Sequence, residues 1–251
     1  MRIAEIFRSR QGEGRLTGVE SVFVRTSGCN LRCRYCDTGY ASWTPEGEEL
    51  SVAEILRRVD QSRNSPPPLP RTPIQTLSAH ADPSPGGVRH VVLTGGEPML
   101  FAELGPLSAK LREQGWHITI ETAGTVYLSV ACDLMSISPK LSNSTPSEQE
   151  PEWARHHGLH RHAPEAIRRL MAEYDYQLKF VVDRLEDCRE VEAYLAEFPE
   201  IELGRVMLMP QGTDSKALAE KAAWLEPHCA QRGFRFCPRR QIEWFGAERG
   251  T

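Results

Sequence analysis

Cys29, Cys33 and Cys36 fall within one short stretch, Ser27-Gly-Cys-Asn-Leu-Arg-Cys-Arg-Tyr-Cys-Asp-Thr38, with the spacing C-x3-C-x2-C. Thiolates so placed let a single loop wrap an inorganic cluster while one metal position keeps no local protein ligand. An open position of that kind can take a cofactor. A closed structural zinc site wants four ligands, and the next cysteine, Cys132, lies far downstream. A zinc loop, or three cysteines serving as small apolar side chains, are the competing readings of the spacing. The chain has seven cysteines, an odd number, which fits metal ligation in a reducing compartment better than a disulfide framework.

Other residues with chemical potential stand in short loops. Gln11-Gly12-Glu13-Gly14 offers an amide, a carboxylate and two glycines that permit close backbone approach, just before a strand that delivers the cysteines. Gly95-Gly96-Glu97-Pro98 follows a strand and allows close approach of chain and ligand. Glu121-Thr122 and Ser138-Pro139-Lys140 also close strands. Tight turns would explain the glycines alone.

The elements that must carry these loops read as follows. Strands are expected over residues 2–7, 20–25, 90–94, 117–121, 134–138, 176–182 and 205–209, with a last candidate over 234–237. Helical spacing of apolar residues covers 51–58, 101–114, 163–174, 185–198 and 214–232, the first opened by a Ser51/Glu54 capping box. Six or seven strands, mostly followed by helices, predict an α/β chain whose parallel sheet curls into an incomplete (β/α)6-type barrel. Ligands in such folds bind at the carboxyl ends of the strands. Every loop named above lies at such an end or beside one.

Residues 1–251 are read as a single domain interrupted by irregular insertions at 62–87 and 142–162. The first is rich in Pro and Ser. The second is polar and holds His156, His157, His160 and His162, for which a solvated loop is expected rather than a metal site. At 251 residues, 40% hydrophobic, 25% charged and with net charge -4, the composition is that of a soluble protein. It has no bilayer-length apolar run, no signal-peptide core and no dominant basic cluster. A cytoplasmic protein without membrane or direct nucleic-acid contact is therefore expected.

Taken together, the cysteine loop, the Gly-Gly-Glu-Pro segment and the βα pattern resemble the radical S-adenosylmethionine (SAM) superfamily over most of the chain. The resemblance implies that Cys29, Cys33 and Cys36 hold a 4Fe-4S cluster whose fourth iron is chelated by SAM, which one electron splits to a 5′-deoxyadenosyl radical. It also implies SAM contacts from Tyr35, Asp37, Gly95, Gly96, Glu97, Glu121, Ser138, Pro139, Lys140, Gln177 and Lys179. Within the superfamily, the Gln11 to Gly14 loop combined with Cys36-Asp37-Thr38 is similar to the 7-carboxy-7-deazaguanine synthases.

That likeness implies a lyase that converts 6-carboxy-5,6,7,8-tetrahydropterin to 7-carboxy-7-deazaguanine with loss of ammonia. The product would feed 7-deazapurine synthesis through preQ0, as in queuosine. Hydrogen would leave substrate C6 and later return, regenerating SAM. Gln11, Gly12, Glu13, Arg25 and Thr94 would hold the pterin, with Arg25 on its carboxylate. Thr38 would ligate Mg2+, and an external one-electron reductant such as flavodoxin and a homodimeric assembly follow from the same likeness. Gln241 stands where a histidine is expected near the carboxyl end; a carboxamide hydrogen-bonds a pterin but cannot become cationic. A glycyl-radical-enzyme activase shares the cysteine loop but should lack the Gln-Gly-Glu loop and the Cys-Asp-Thr ending. An iron-sulfur electron carrier would not need a scaffold of this size.

Overall fold

The computed structural model describes residues 1–72 and 87–251. Its strands are β1 (Arg2–Arg10), β2 (Glu20–Thr26), β3 (Glu48–Glu49), β4 (His90–Gly95), β5 (His117–Thr122), β6 (Leu134–Ile137), β7 (Tyr176–Val182), β8 (Val206–Pro210) and β9 (Arg235–Phe236). Among the described residues they form one nine-stranded sheet in the order β3-β1-β2-β4-β5-β6-β7-β8-β9. From β2 to β9 every pairing is parallel, whereas β1 runs antiparallel to both β2 and β3. The sheet is not closed, since β3 and β9 form its two separate edges. It is the expected partial barrel, extended by antiparallel strands that the βα alternation does not announce.

Period-2 alternation explains how one sheet serves both core and site. Val22 and Val24, Val91 and Leu93, Ile118 and Ile120, Met135 and Ile137, and Leu178 and Phe180 all belong to the main apolar core. There they meet Ile55 and Val59 of α2 (Val52–Arg63), Leu104, Leu107 and Leu111 of α3 (Leu104–Glu113), and Ile167 and Leu170 of an amphipathic helix, Pro164–Glu173. The alternate residues Arg25, Thr94, Glu121, Ser136 and Lys179 lie on the other face and line one cavity. Burial of the apolar set, at ~25 cal/mol per Å² of apolar surface removed from water, holds polar side chains in a place that water alone would not organise.

The insertion expected over residues 142–162 is largely ordered structure. A 3-10 turn, Ser142–Ser144, is followed by a helix, Pro151–His160, so the solvated-loop expectation fails there. His157 is fully buried, with Nε2 2.8 Å from Ser144 Oγ and Nδ1 accepting from Arg32 N–H at 3.4 Å. The Arg32 guanidinium sits 4.1 Å from the Trp153 ring centroid, a cation–π contact. His156 Nε2 lies 3.0 Å from the Asn30 carbonyl. The polar composition reflects a helix docked on the cysteine loop through hydrogen bonds instead of an apolar stripe. Of the insertion expected over 62–87, residues 62–63 complete α2 and residues 73–86 lie outside the described residues. Just before them, Arg71 N–H donates to Trp244 O at 2.6 Å. Among the described residues no helix is long and apolar enough to cross a membrane.

Candidate active site

A cavity of about 440 Å³ opens at the carboxyl ends of the parallel strands. The cysteine loop forms one wall, running from the end of β2 to the short helix α1 (Gly39–Ser42). Cys29, Cys33 and Cys36 all line the cavity. Burial pushes the Cys29 thiol up to about 12 and the Cys33 thiol up to about 11, so loading iron there must release protons. Cys29 Sγ accepts a hydrogen bond from Leu31 N–H at 3.3 Å, and Cys36 Sγ lies 3.1 Å from Ser42 Oγ. A backbone N–H aimed at sulfur stabilises the thiolate that a cluster ligand must become. Among the described residues no histidine, cysteine or carboxylate trio is placed to hold a single metal ion. Three cysteines of one loop that face one cavity, with no fourth protein ligand beside them among the described residues, fit a cluster that keeps one open position.

Why the loop holds its place is visible in two glycines. Gly95 has φ 143°, and a Cβ there would stand 2.2 Å from Thr26 O; one on Gly96 would stand 2.1 Å from Gly28 O. The close approach these glycines permit is therefore chain to chain, between β4 and the start of the cysteine loop, as well as toward the cavity they line. Glu97 is fully buried beneath them. It accepts from Thr122 Oγ1 at 2.7 Å, Ala123 N–H at 2.8 Å and Met99 N–H at 3.1 Å. Burial raises its pKa despite those donors. Glu97 does not line the cavity, and neither do Pro139 or Gln177. The Gln177 amide is spent within the protein, donating to Ser136 Oγ at 2.8 Å and accepting from Arg15 N–H at 2.9 Å.

Gln11, Gly12 and Glu13 form another wall. Gln11 is buried and donates from Nε2 to Ser21 Oγ at 2.9 Å, which fixes the loop to β2. Glu13 pairs with Lys179 Nζ, lies 3.4 Å from Arg239 Nε and accepts from Gln241 Nε2. Burial by itself would push the Glu13 carboxyl up, but Lys179 and Arg239 together hold it down at about 2, so it is ionised at any physiological pH. Arg239 also pairs with Asp37 at 2.5 Å and donates from Nη1 to Gly212 O at 2.5 Å. One guanidinium thus ties the Gln11 to Gly14 loop, the end of the cysteine loop and the turn after β8. Gly12 faces Gln241 so closely that a Cβ would meet its Oε1 at 2.2 Å.

The remaining residues expected to touch SAM, substrate or metal line this cavity: Arg25, Tyr35, Asp37, Thr38, Thr94, Glu121, Ser138, Lys140, Lys179 and Gln241. Thr94 Oγ1 donates to Glu121 at 2.8 Å, Lys140 Nζ to Ser138 Oγ at 2.8 Å, and Tyr35 OH to Asn143 Oδ1 at 2.9 Å. Thr38 is the N-cap residue of α1, but its side chain makes no capping bond; its hydroxyl lies 3.7 Å from Cys36 Sγ. Arg239, Tyr40 and residues 246–251 also line the cavity, and no local motif flags them. Arg239 reaches Glu13 across 226 positions of chain, a juxtaposition that only the completed sheet creates.

Residues 23–192 match the family model of the radical SAM superfamily. A 7-carboxy-7-deazaguanine synthase from Rhodopirellula baltica is 44% identical over 99% of this chain and 88% of its own length. One from Halobacterium salinarum is 39% identical over 96% of this chain and 88% of its own. The crystal structure of QueE from Escherichia coli superposes with a TM-score of 0.64 at 24% identity, covering 95% of this chain and 93% of that one, which speaks for the fold. With cysteine loop, partial barrel and whole-length relatives in agreement, the chain belongs to the radical SAM superfamily and, within it, to the 7-carboxy-7-deazaguanine synthases.

Proposed function

We propose that the cavity converts 6-carboxy-5,6,7,8-tetrahydropterin to 7-carboxy-7-deazaguanine and ammonia, a step of deazapurine synthesis. The observation that carries this reading is that Gln11, Gly12, Glu13, Arg25 and the three cysteines share one cavity in a chain with whole-length relatives of that name. The relatives give no support to the activase or carrier alternatives. The overall change is redox-neutral, which suits a cofactor restored at the end of each turnover.

When bound at Cys29, Cys33 and Cys36, the 4Fe-4S cluster with SAM supplies one-electron, hydrogen-abstracting chemistry that no side chain of the chain can perform. The protein supplies orientation. Arg25 presents a guanidinium to the substrate carboxylate. Gln11, Gly12, Glu13, Thr94 and Gln241 flank the pterin, with ionised Glu13 accepting from its N–H groups. Tyr35, Asp37, Gly95, Gly96, Glu121, Ser138, Lys140 and Lys179 form the SAM side. Glu97, Pro139 and Gln177 support that side from behind it.

The Thr38 hydroxyl, free of a capping bond, suits Mg2+, which needs few protein ligands when substrate oxygens and water complete its shell. Thr38→Ala should raise the Mg2+ concentration for half-maximal activity about tenfold; an unchanged titration removes Thr38 from the metal. A single working domain, a homodimer, a reducing cytoplasm that suits seven free cysteines and a flavodoxin-like reductant complete the reading.

The test is anaerobic reconstitution followed by incubation with carboxytetrahydropterin, SAM, reductant and Mg2+, with carboxydeazaguanine read by mass. Intact cluster absorbance without product would sink the substrate assignment.

A further inference from the structure

Arg25 is not free to choose its own position. Opposite it on β1 stands Glu5, whose Oε1 accepts from Arg25 Nε at 2.7 Å and from Tyr40 OH at 2.6 Å. Both partners of the ion pair are largely buried, with 15% of the Arg25 side chain and 13% of the Glu5 side chain exposed. The β1–β2 register carries an irregularity here: Ile3 pairs with Thr26 and Glu5 with Arg25, so β1 spends an extra residue, Ala4. Without that bulge the alternation would turn Glu5 to the opposite face of the sheet. Bulges recur next to active sites because they re-aim a side chain in this way. The Arg25 guanidinium lies 5.8 Å from the Phe7 ring centroid, and Phe7 stacks on Phe23 at 5.1 Å, so an aromatic floor limits its remaining freedom.

Glu5 itself does not line the cavity, whereas its three partners Arg25, Tyr40 and Arg249 do. Any effect of Glu5 on a ligand must pass through them. We propose that Glu5 is a positioning residue: by taking Nε of Arg25 it directs the terminal Nη1–Nη2 fork of the guanidinium, the edge that pairs with a carboxylate in two parallel hydrogen bonds, into the cavity. The other oxygen of the same carboxylate is also held. Its Oε2 lies 3.3 Å from Arg249 Nε, and Arg249 pairs with Glu46 at 2.9 Å and lies 4.0 Å from the Tyr40 ring centroid. Two guanidiniums and two carboxylates balance here, so what Glu5 gives this corner of the cavity is the direction of Arg25 rather than a net charge. The inference rests on the reading of Arg25 as the substrate-carboxylate residue, and its test is chosen to separate the two.

The reconstituted holoenzyme is compared as wild type, Glu5→Gln, Arg25→Ala and the double variant, for affinity toward carboxytetrahydropterin, toward tetrahydropterin lacking the 6-carboxylate, and toward SAM. Glu5→Gln should weaken carboxytetrahydropterin about tenfold, leave SAM and the carboxylate-free pterin within about twofold, and add nothing to Arg25→Ala. Tyr40→Phe, which removes the other donor to the same oxygen, should act in the same direction by about threefold and serves if Glu5→Gln does not fold. Equal weakening of both pterins, or a Glu5 effect that persists beside Arg25→Ala, overturns the proposal. If Arg25→Ala keeps the preference for the carboxylated pterin, the reading of Arg25 fails and the role of Glu5 falls with it. A preference lost in Arg25→Ala but kept in Glu5→Gln refutes the positioning role alone.

Discussion

Two loops of this chain have nearly the same vocabulary, Gln11-Gly12-Glu13-Gly14 and Gly95-Gly96-Glu97-Pro98, and the structure uses their carboxylates in opposite ways. Glu13 lies in the cavity between Lys179 and Arg239 and stays ionised. Glu97 lies outside the cavity and receives neutral donors from Thr122, Ala123 and Met99. The difference is one of partners. Cations keep a buried carboxylate charged and able to meet a ligand, whereas backbone N–H groups and a hydroxyl turn it into a strut that fixes the turn after β4 to the end of β5.

The largest expected effect falls on the strut. Glu97→Ala leaves a cavity and three orphaned donors, and should cost about 3 kcal/mol of unfolding free energy. A denaturant midpoint close to wild type would mean the strut carries little. Glu13→Gln keeps the shape of the other carboxylate and removes its charge. It should raise KM for carboxytetrahydropterin ~10-fold or more, with the cluster absorbance of the reconstituted protein retained; loss of the cluster with unchanged KM would erase the distinction between the loops.

Acid titration of stability sharpens the contrast by sign. Glu13, held at about 2 against an ordinary 4.5, contributes stability that is full above pH 4.5 and is lost as pH falls toward 2. Glu97 is shifted upward, so its contribution is full below pH 4.5 and lost as pH rises through its folded value. Urea unfolding should therefore show a flatter loss as pH falls from 4.5 to 2 in Glu13→Gln than in wild type, and a flatter loss as pH rises above 4.5 in Glu97→Gln. Slopes that change over the same pH range in both variants would contradict the assignment. The smallest effect is expected from Thr122→Val, which deletes one donor to Glu97 and should cost about 1 kcal/mol in the same unfolding assay.

Most of the site was legible because alternation and spacing are local. Strand ends, the cysteine loop and the residues following each strand could be placed from short windows, and they do converge on one cavity. Glu97 was not legible as a strut, since its donors at Thr122 and Ala123 belong to the next strand's end and only the packed sheet supplies them. Arg239 and the Glu5 bulge depend on the same kind of distant contact. The helix Pro151–His160 escaped for another reason: its binding face is histidine, tryptophan and hydrogen bonds to the cysteine loop, which leaves no apolar period to read.

The most direct test of the account is the ratio of carboxydeazaguanine formed to SAM consumed by cluster-loaded protein supplied with carboxytetrahydropterin, Mg2+ and a low-potential reductant. The account predicts product accumulating well beyond the SAM consumed, because the reaction is redox-neutral and the cofactor returns. SAM consumed with no deazaguanine formed, the cluster remaining intact, would contradict it.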